Sequence, residues 1–188
     1  GLSAQGNVSL RAGGGLDRAR FSSVRIGNWL NAPVVLTGRG KGVPPAVSVS
    51  GGSVDLRNVS MGGGSGQGGP ITLTLDRLQI SDTIALRGMR GEFTNQGGLS
   101  GRFTGSINGR APIEGTLVPR DGRTAVRLTA ANAGAALSAA GLLKKGAEGA
   151  LELTLLPAGG QGSYDGRLSV KDIWLQDAPA MASLLSTL

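Results

Sequence analysis

Cysteine and histidine are both absent from this 188-residue chain, and aromatic residues make up only 3% of it. The first two absences remove disulfides, thiolate nucleophiles, histidine bases and the usual ligands of zinc. Most of the 12 carboxylates stand singly among predicted turns, and none shows the pairing that acid and base catalysis requires. We therefore expect no enzyme activity, no metal site and no cofactor.

Long hydrophobic runs are missing too. No stretch of about 18 apolar residues occurs, and no charged-then-apolar leader is present, so the printed sequence predicts neither a membrane span nor its own export signal. Alternation of apolar and polar residues begins directly after Gly1, and we expect a piece of a longer protein. The net charge of +7 suits anionic partners. Nucleic acid is not expected among them, because binders of single strands interleave basic residues with aromatic ones.

Glycine, in contrast, is abundant, with 34 residues. A glycine inside a helix costs about 1 kcal/mol relative to alanine, so this composition favours strands joined by tight turns. Turn signals recur about every ten residues, among them Gly51-Gly52 and Asp121-Gly122. The longest one, Gly62–Pro70, predicts a long connection between two groups of strands.

Between the turns, apolar residues alternate with polar ones, the pattern of strands with one aliphatic face. We expect an all-β fold in a single unit over residues 1–188, with strands over 1–176 and a helix over 177–188. The residues predicted to form the aliphatic face are Val47, Val49, Val54, Leu56, Ile71, Leu73, Leu75, Ile84, Leu86, Ile113, Leu117, Val126, Leu128, Leu151, Leu153, Leu155, Leu168 and Val170.

Two segments depart from this alternation. The alanine-rich stretch that starts at Asn132, a possible N-cap, and stops at Gly146 fits a short helix and a loose strand equally well. The C-terminal stretch predicts an amphipathic helix, with Asp177 as its cap and Pro179 in its first turn. The apolar face of that helix, expected to cover the last strands, consists of Met181, Leu184, Leu185 and Leu188.

Three pieces of the final third, Asn132–Leu142, Gly149–Pro157 and Tyr164–Leu185, carry a family pattern. In the last piece a Gly-x-Leu-x-Val strand leads into an Asp-Ala-Pro helix. The chain resembles the C-terminal region of the YhdP-type members of the AsmA-like family, bacterial bridge-like lipid transport proteins.

The resemblance implies an elongated, curved antiparallel β-sheet, a groove or taco-like meander, closed by the short C-terminal amphipathic helix. It also implies a place in the periplasm of a Gram-negative envelope, with the remainder of the same chain tethered to the inner membrane. The aliphatic face would then be a hydrophobic β-groove that binds phospholipid acyl chains and conducts them between the inner and outer membranes. An outer-membrane or envelope protein is a possible partner.

Other interpretations stay open at this level. By itself, the alternation favours a sandwich of two sheets whose aliphatic faces meet, and only the resemblance favours an open groove. A structural or assembly scaffold of the envelope that acts through β-strand edges is the alternative function. A polysaccharide-processing enzyme would need carboxylates with shifted pKa values gathered in one cleft.

Overall fold

The protein folds almost entirely into β-strands. The computed structural model describes residues 1–57, 68–160 and 162–175. The first strands are β1 Leu2–Leu10, β2 Leu16–Ile26, β3 Leu30–Thr37, β4 Ala46–Ser50 and β5 Ser53–Asp55. They are followed by β6 Ile71–Gln79, β7 Ala85–Asn95, β8 Leu99–Ile107, β9 Ala111–Arg120 and β10 Arg123–Ala130. Helix α1 spans Ala133–Ala139, and β11 Gly146–Ala147, β12 Ala150–Pro157, β13 Tyr164–Lys171 and β14 Trp174–Leu175 follow it.

Twelve of these strands form one large curved sheet. Its order is β1-β2-β3-β4-β6-β7-β8-β9-β10-β12-β13, with β5 beside β3 and β6, while β11 and β14 form a separate pair. Tight turns join many of the neighbours, because positive φ at both residues of Asn108-Gly109 and Asp121-Gly122 matches the twist of the flanking strands. The predicted all-β fold, built on one large curved sheet, is confirmed.

The turn predicted at Gly51-Gly52 is wrong. Strands β4 and β5 both pair antiparallel with β3 and parallel with β6. They therefore occupy the same position in the sheet, between β3 and β6, as one strand that is interrupted at these glycines. Both glycines have positive φ, and the N–H of Gly52 donates to Asp76 Oδ2 at 2.8 Å. A bulge and a turn both need glycine at positive φ, so the sequence pattern does not distinguish them.

The pairing of β4 and β5 with β6 is parallel, whereas the other pairs of the described sheet are antiparallel. A parallel pair requires a crossover connection. The connection from β5 to β6 contains the glycine-rich stretch predicted to separate two groups of strands. Residues 62–67 of that stretch lie outside the described residues, and its end is attached to the sheet through Gly68 N, which donates to Asn95 O at 2.8 Å.

Of the two structures left open for the alanine-rich stretch, the helix is the one observed. Asn132 Oδ1 accepts a hydrogen bond from Ala135 N at 2.8 Å, which is the expected N-cap. The helix stops earlier than expected, since Gly141 at φ +78° donates to Ser138 O just past its end. Gly146, predicted as the stop, instead opens β11.

The second helix, predicted over 177–188, lies outside the described residues. The same applies to the face assigned to it, which consists of Met181, Leu184, Leu185 and Leu188.

Candidate functional site

The register of the sheet places the predicted aliphatic residues on one face. Residues that pair directly across neighbouring strands point to the same side. Val49 on β4 pairs with Leu73 on β6. Leu128 on β10 pairs with Leu153 on β12, which in turn pairs with Leu168 on β13. Among the described residues the only other sheet is the short β11–β14 pair, so this face has no second large sheet opposite it, unlike the face of a sandwich.

Four rows of side chains cross this face from strand to strand. The core rows lie toward α1 and comprise Leu78, Leu86, Ile107 and Ala111 in one row and Leu75, Met89, Ile113, Ala130, Leu151 and Val170 in the next. The outer rows lie toward the opposite ends of the strands. They comprise Val49, Leu73, Phe103, Leu128, Leu153 and Leu168, and then Val47, Ile71, Phe93, Leu117, Val126 and Leu155.

Most of the core rows are fully buried. Four of the five predicted lining residues in these rows are buried, with Leu75 only 1% exposed, Leu86 and Ile113 each 2%, and Leu151 7%. They share one hydrophobic cluster with the buried alanines of α1. These four side chains stabilise the fold and offer no surface to a ligand.

Helix α1 is held tightly over the core rows. A Cβ added at Gly134 would lie 2.1 Å from Ala147 N, so only glycine permits this approach between helix and β11. At the other end of the helix, the Asn108 side chain donates to Ala139 O and Thr83 O, both at 2.8 Å, and accepts from Ala85 N at 2.9 Å. These bonds join the helix to two turns of the sheet.

The outer rows are only partly covered. Leu73 and Leu153 pack against the hydrophobic cluster and still keep part of their surface accessible, and Leu168 is 51% exposed. The other predicted members of these rows are half-buried as well: Val47, Val49, Ile71, Leu117, Val126, Leu128 and Leu155. The outer rows therefore form a band beside the buried core, with half-exposed aliphatic side chains on β4 and β6 and on β9, β10, β12 and β13.

Two phenylalanines lie in the middle of this band, on β7 and β8. Phe93 and Phe103 are 5% and 8% exposed and belong to the buried cluster, and their rings lie close to glycines. A Cβ at Gly101 would come within 2.7 Å of the Phe93 ring, and one at Gly115 within 2.0 Å of the Phe103 ring. Sequence reasoning assigned the glycines to turns and to bulges of curved strands and missed this contact with the phenylalanine rings, although the repeated Gly-x-Phe spacing was a usable signal.

Other predicted residues lie at the margins of the face. Val54 and Ile84 pack partly buried against the cluster, as does Val170 at the end of its core row. Leu56 lies just after β5, where its N–H donates to Gln79 O at 2.9 Å. Met89, which is 5% exposed and central to the core, was not predicted at all.

The opposite face of the sheet is polar. A depression of about 810 Å³ is lined in part by Thr104, Glu114, Glu152 and Lys171. The guanidinium of Arg127 donates to Glu152 at 2.7 Å and lowers the pKa of that carboxyl.

Comparisons of the chain with protein-family models, curated proteins and solved structures found no match. Within the described ranges, no helix is long and apolar enough to cross a bilayer. In the same ranges, no three carboxylates gather as metal ligands would. The assignment to the AsmA-like family stays a prediction that depends on the quoted motifs.

Proposed function

We propose that this chain is a periplasmic lipid-conduit segment in which phospholipid acyl chains lie along the outer rows and head groups remain toward solvent. The observation that carries the proposal is the band of half-exposed aliphatic side chains in the outer rows, which lies beside the buried residues of the core rows. A contiguous apolar surface left open on a water-exposed protein marks a binding site more often than a packing defect.

The dimensions of the band support this function. It crosses eight neighbouring strands from β4 to β13, and strands about 4.8 Å apart give it a length of about 34 Å. One acyl chain spans about half of a hydrocarbon core that is about 30 Å thick, or about 15 Å. Two acyl chains therefore fit end to end, which is what passage along a conduit requires.

The charge of the chain supports it as well. Lysine and arginine number 19 against 12 acidic residues, and a net positive potential favours the phosphate of a lipid head group. The proposal includes a tether to the inner membrane through segments outside these 188 residues, delivery toward an outer-membrane partner, and no chemical step.

Photocrosslinking tests the proposal with matched positions. A photoreactive leucine analogue is placed at Leu73 or Leu153 in the outer rows, and at Leu75 or Leu151 in the core rows as controls. Each control lies two residues away, on the same strand and the same face. After expression in a Gram-negative periplasm and irradiation, we expect phospholipid adducts by mass spectrometry at the outer positions and few at the controls.

Two results would count against the conduit. One is the absence of adducts at Leu73 and Leu153 together with no lipid extracted from the purified chain. The other is equal labelling of core and outer positions, which would mean that lipid meets the unfolded chain. A protein captured in place of lipid would favour the scaffold alternative, for which the exposed edge strand β1 is the relevant feature.

A further inference from the structure

The positive charge of the chain is unevenly distributed. The first 50 residues contain six basic residues and a single carboxylate, that of Asp17, and so account for +5 of the net charge of +7. The excess charge therefore lies on the part of the large sheet that consists of β1 to β4. The six basic residues are all exposed, and they are Arg11, Arg18, Arg20, Arg25, Arg39 and Lys41.

Two of these cations lie on the polar face of β2. Arg18 pairs with Thr37 of β3 and Arg20 pairs with Val35, while Ala19 between them is buried on the aliphatic side at 2% exposure. Since alternate residues of a strand share a face, the Cα atoms of the two arginines lie about 7 Å apart on one surface. Their guanidinium groups are therefore neighbours.

Two connections add three more cations beside this end of β2. The turn after β1 contains Arg11, and the loop after β3 contains Arg39 and Lys41. The Arg11 guanidinium donates to Gly38 O at 2.7 Å, so the two connections lie against each other. The resulting group of five residues is called the basic corner below and consists of Arg11, Arg18, Arg20, Arg39 and Lys41.

Carboxylates do not balance the charge of the basic corner. Asp17, the one carboxylate of the first 50 residues, lies 3.7 Å from Arg11 Nε. Within the described ranges, the other four cations form no ion pair. Farther along the polar face arginine and glutamate are mixed, as in the ion pair between Arg127 and Glu152 at 2.7 Å. The basic corner is therefore suited to an anionic partner.

An apolar side chain is exposed among these cations. Val43 follows Lys41 by two residues in the loop after β3 and is 43% exposed. Exposed apolar side chains beside basic ones suit the interface of an anionic bilayer, where cations contact phosphates and the apolar group reaches the acyl boundary. A soluble polyanion offers no such apolar layer, so a bilayer fits the basic corner better.

We propose that the basic corner docks on the surface of a bilayer that contains anionic phospholipid. The loop with Val43 leads into β4, where Val47 belongs to the outer rows, so docking would bring that end of the band to the bilayer. The basic corner consists of two connections and one face of β2, and docking therefore needs no free strand edge. It goes beyond the conduit, because a bilayer can bind here whether or not acyl chains enter the outer rows.

Vesicle flotation tests the docking with charge-matched variants. The corner variant combines Arg18→Gln, Arg20→Gln and Arg39→Gln, and the control variant combines Arg90→Gln, Arg102→Gln and Arg167→Gln, which changes the net charge equally. We expect the wild type to bind phosphatidylcholine vesicles that contain phosphatidylglycerol, and to bind pure phosphatidylcholine weakly. Loss of three cations from the contact should weaken binding about a hundredfold, whereas the control variant should bind nearly as the wild type does.

A fluorescent label tests which part of the chain meets the bilayer. The chain has no cysteine, so an environment-sensitive dye can be attached at Val43→Cys or at Ile80→Cys. Ile80 is the matched control because it is 42% exposed and lies just after β6, at the other end of the strands. We expect a blue shift on anionic vesicles at position 43 and none at position 80. Thermal unfolding confirms that each variant is folded.

Three results would overturn the proposal. They are a wild type that does not float with anionic vesicles at low salt, equal losses in the corner and control variants, and a dye at position 43 that stays in water while the chain is bound. Tight binding of a soluble polyanion such as heparin without vesicle binding would also overturn it. Absence of lipid adducts at Leu73 with vesicle docking intact would count against the conduit alone.

Discussion

The core rows and the outer rows use the same residue types on the same strands, yet they differ in exposure. Leu75 and Leu73 lie two residues apart on one face of β6, and Leu151 and Leu153 lie likewise on β12. The first of each pair is buried and the second keeps part of its surface. The buried cluster on the core side includes α1. Exposure along this face is therefore decided by what lies above a strand, not by the strand's own pattern.

The largest expected effect on stability comes from comparing a leucine-to-aspartate substitution in a core row with one in an outer row. Leu75→Asp should reduce the free energy of unfolding by about 4 kcal/mol or more, because it buries an unpaired carboxylate. Leu73→Asp should cost about 1–2 kcal/mol, since part of this side chain reaches water. Urea denaturation followed by circular dichroism measures both. Equal losses would mean that the two rows are equally buried and would remove the distinction.

A smaller effect is expected from an added methyl group in the outer rows. Gly115→Ala places a Cβ 2.0 Å from the Phe103 ring, and overpacking of this kind costs about 1–3 kcal/mol. Combining it with Phe103→Leu should recover part of the loss if the ring is the obstacle. Gly160→Ala, where an added Cβ meets nothing within 4 Å, is the control. A Gly115→Ala variant as stable as the wild type would show that the ring is free to move.

The smallest effect on stability depends on pH and concerns a cluster of ion pairs at the end of β5. Arg57 binds Asp55 and Asp82 at 2.6 and 2.7 Å, and its hydrogen bonds lower the pKa of Asp55 from 3.8 to about 2. A lowered folded-state pKa contributes stability that is present above the unfolded value and is lost as pH falls through the folded one. This contribution should thus disappear between about pH 4 and pH 2.

Urea midpoints of the wild type and of Asp55→Asn, measured from pH 6 to pH 2, check this expectation. The two curves should converge at the acid end. Asp165→Asn, on the exposed edge strand β13, is the matched control. A gap between wild type and Asp55→Asn that persists at pH 2 would show that the carboxylate charge is not the cause.

Local signals explain why much of the fold was predictable. Alternation of apolar residues predicted the strands, and Asn132 marked a place where α1 could start, because strand pleating and N-caps depend on neighbouring residues alone. The same stretch fitted a loose strand equally well, so the helix itself was not predicted. The Gly51-Gly52 interruption was mistaken for a turn because the sequence does not show that β5 continues alongside β3. The Phe103–Gly115 contact was missed for a related reason, since the two residues meet only through the register of β8 and β9.

The sequence by itself determined that the chain forms many strands, each with one aliphatic side, because side-chain direction in a strand repeats every two residues. It did not determine whether those aliphatic sides are buried. Only the tertiary structure decided that the strands join into one sheet, that α1 packs on its aliphatic face against β9 and β12, and that the outer rows and β1 keep accessible surface. Burial depends on contacts between segments that are distant in the chain, and such contacts leave no local pattern in the order of residues.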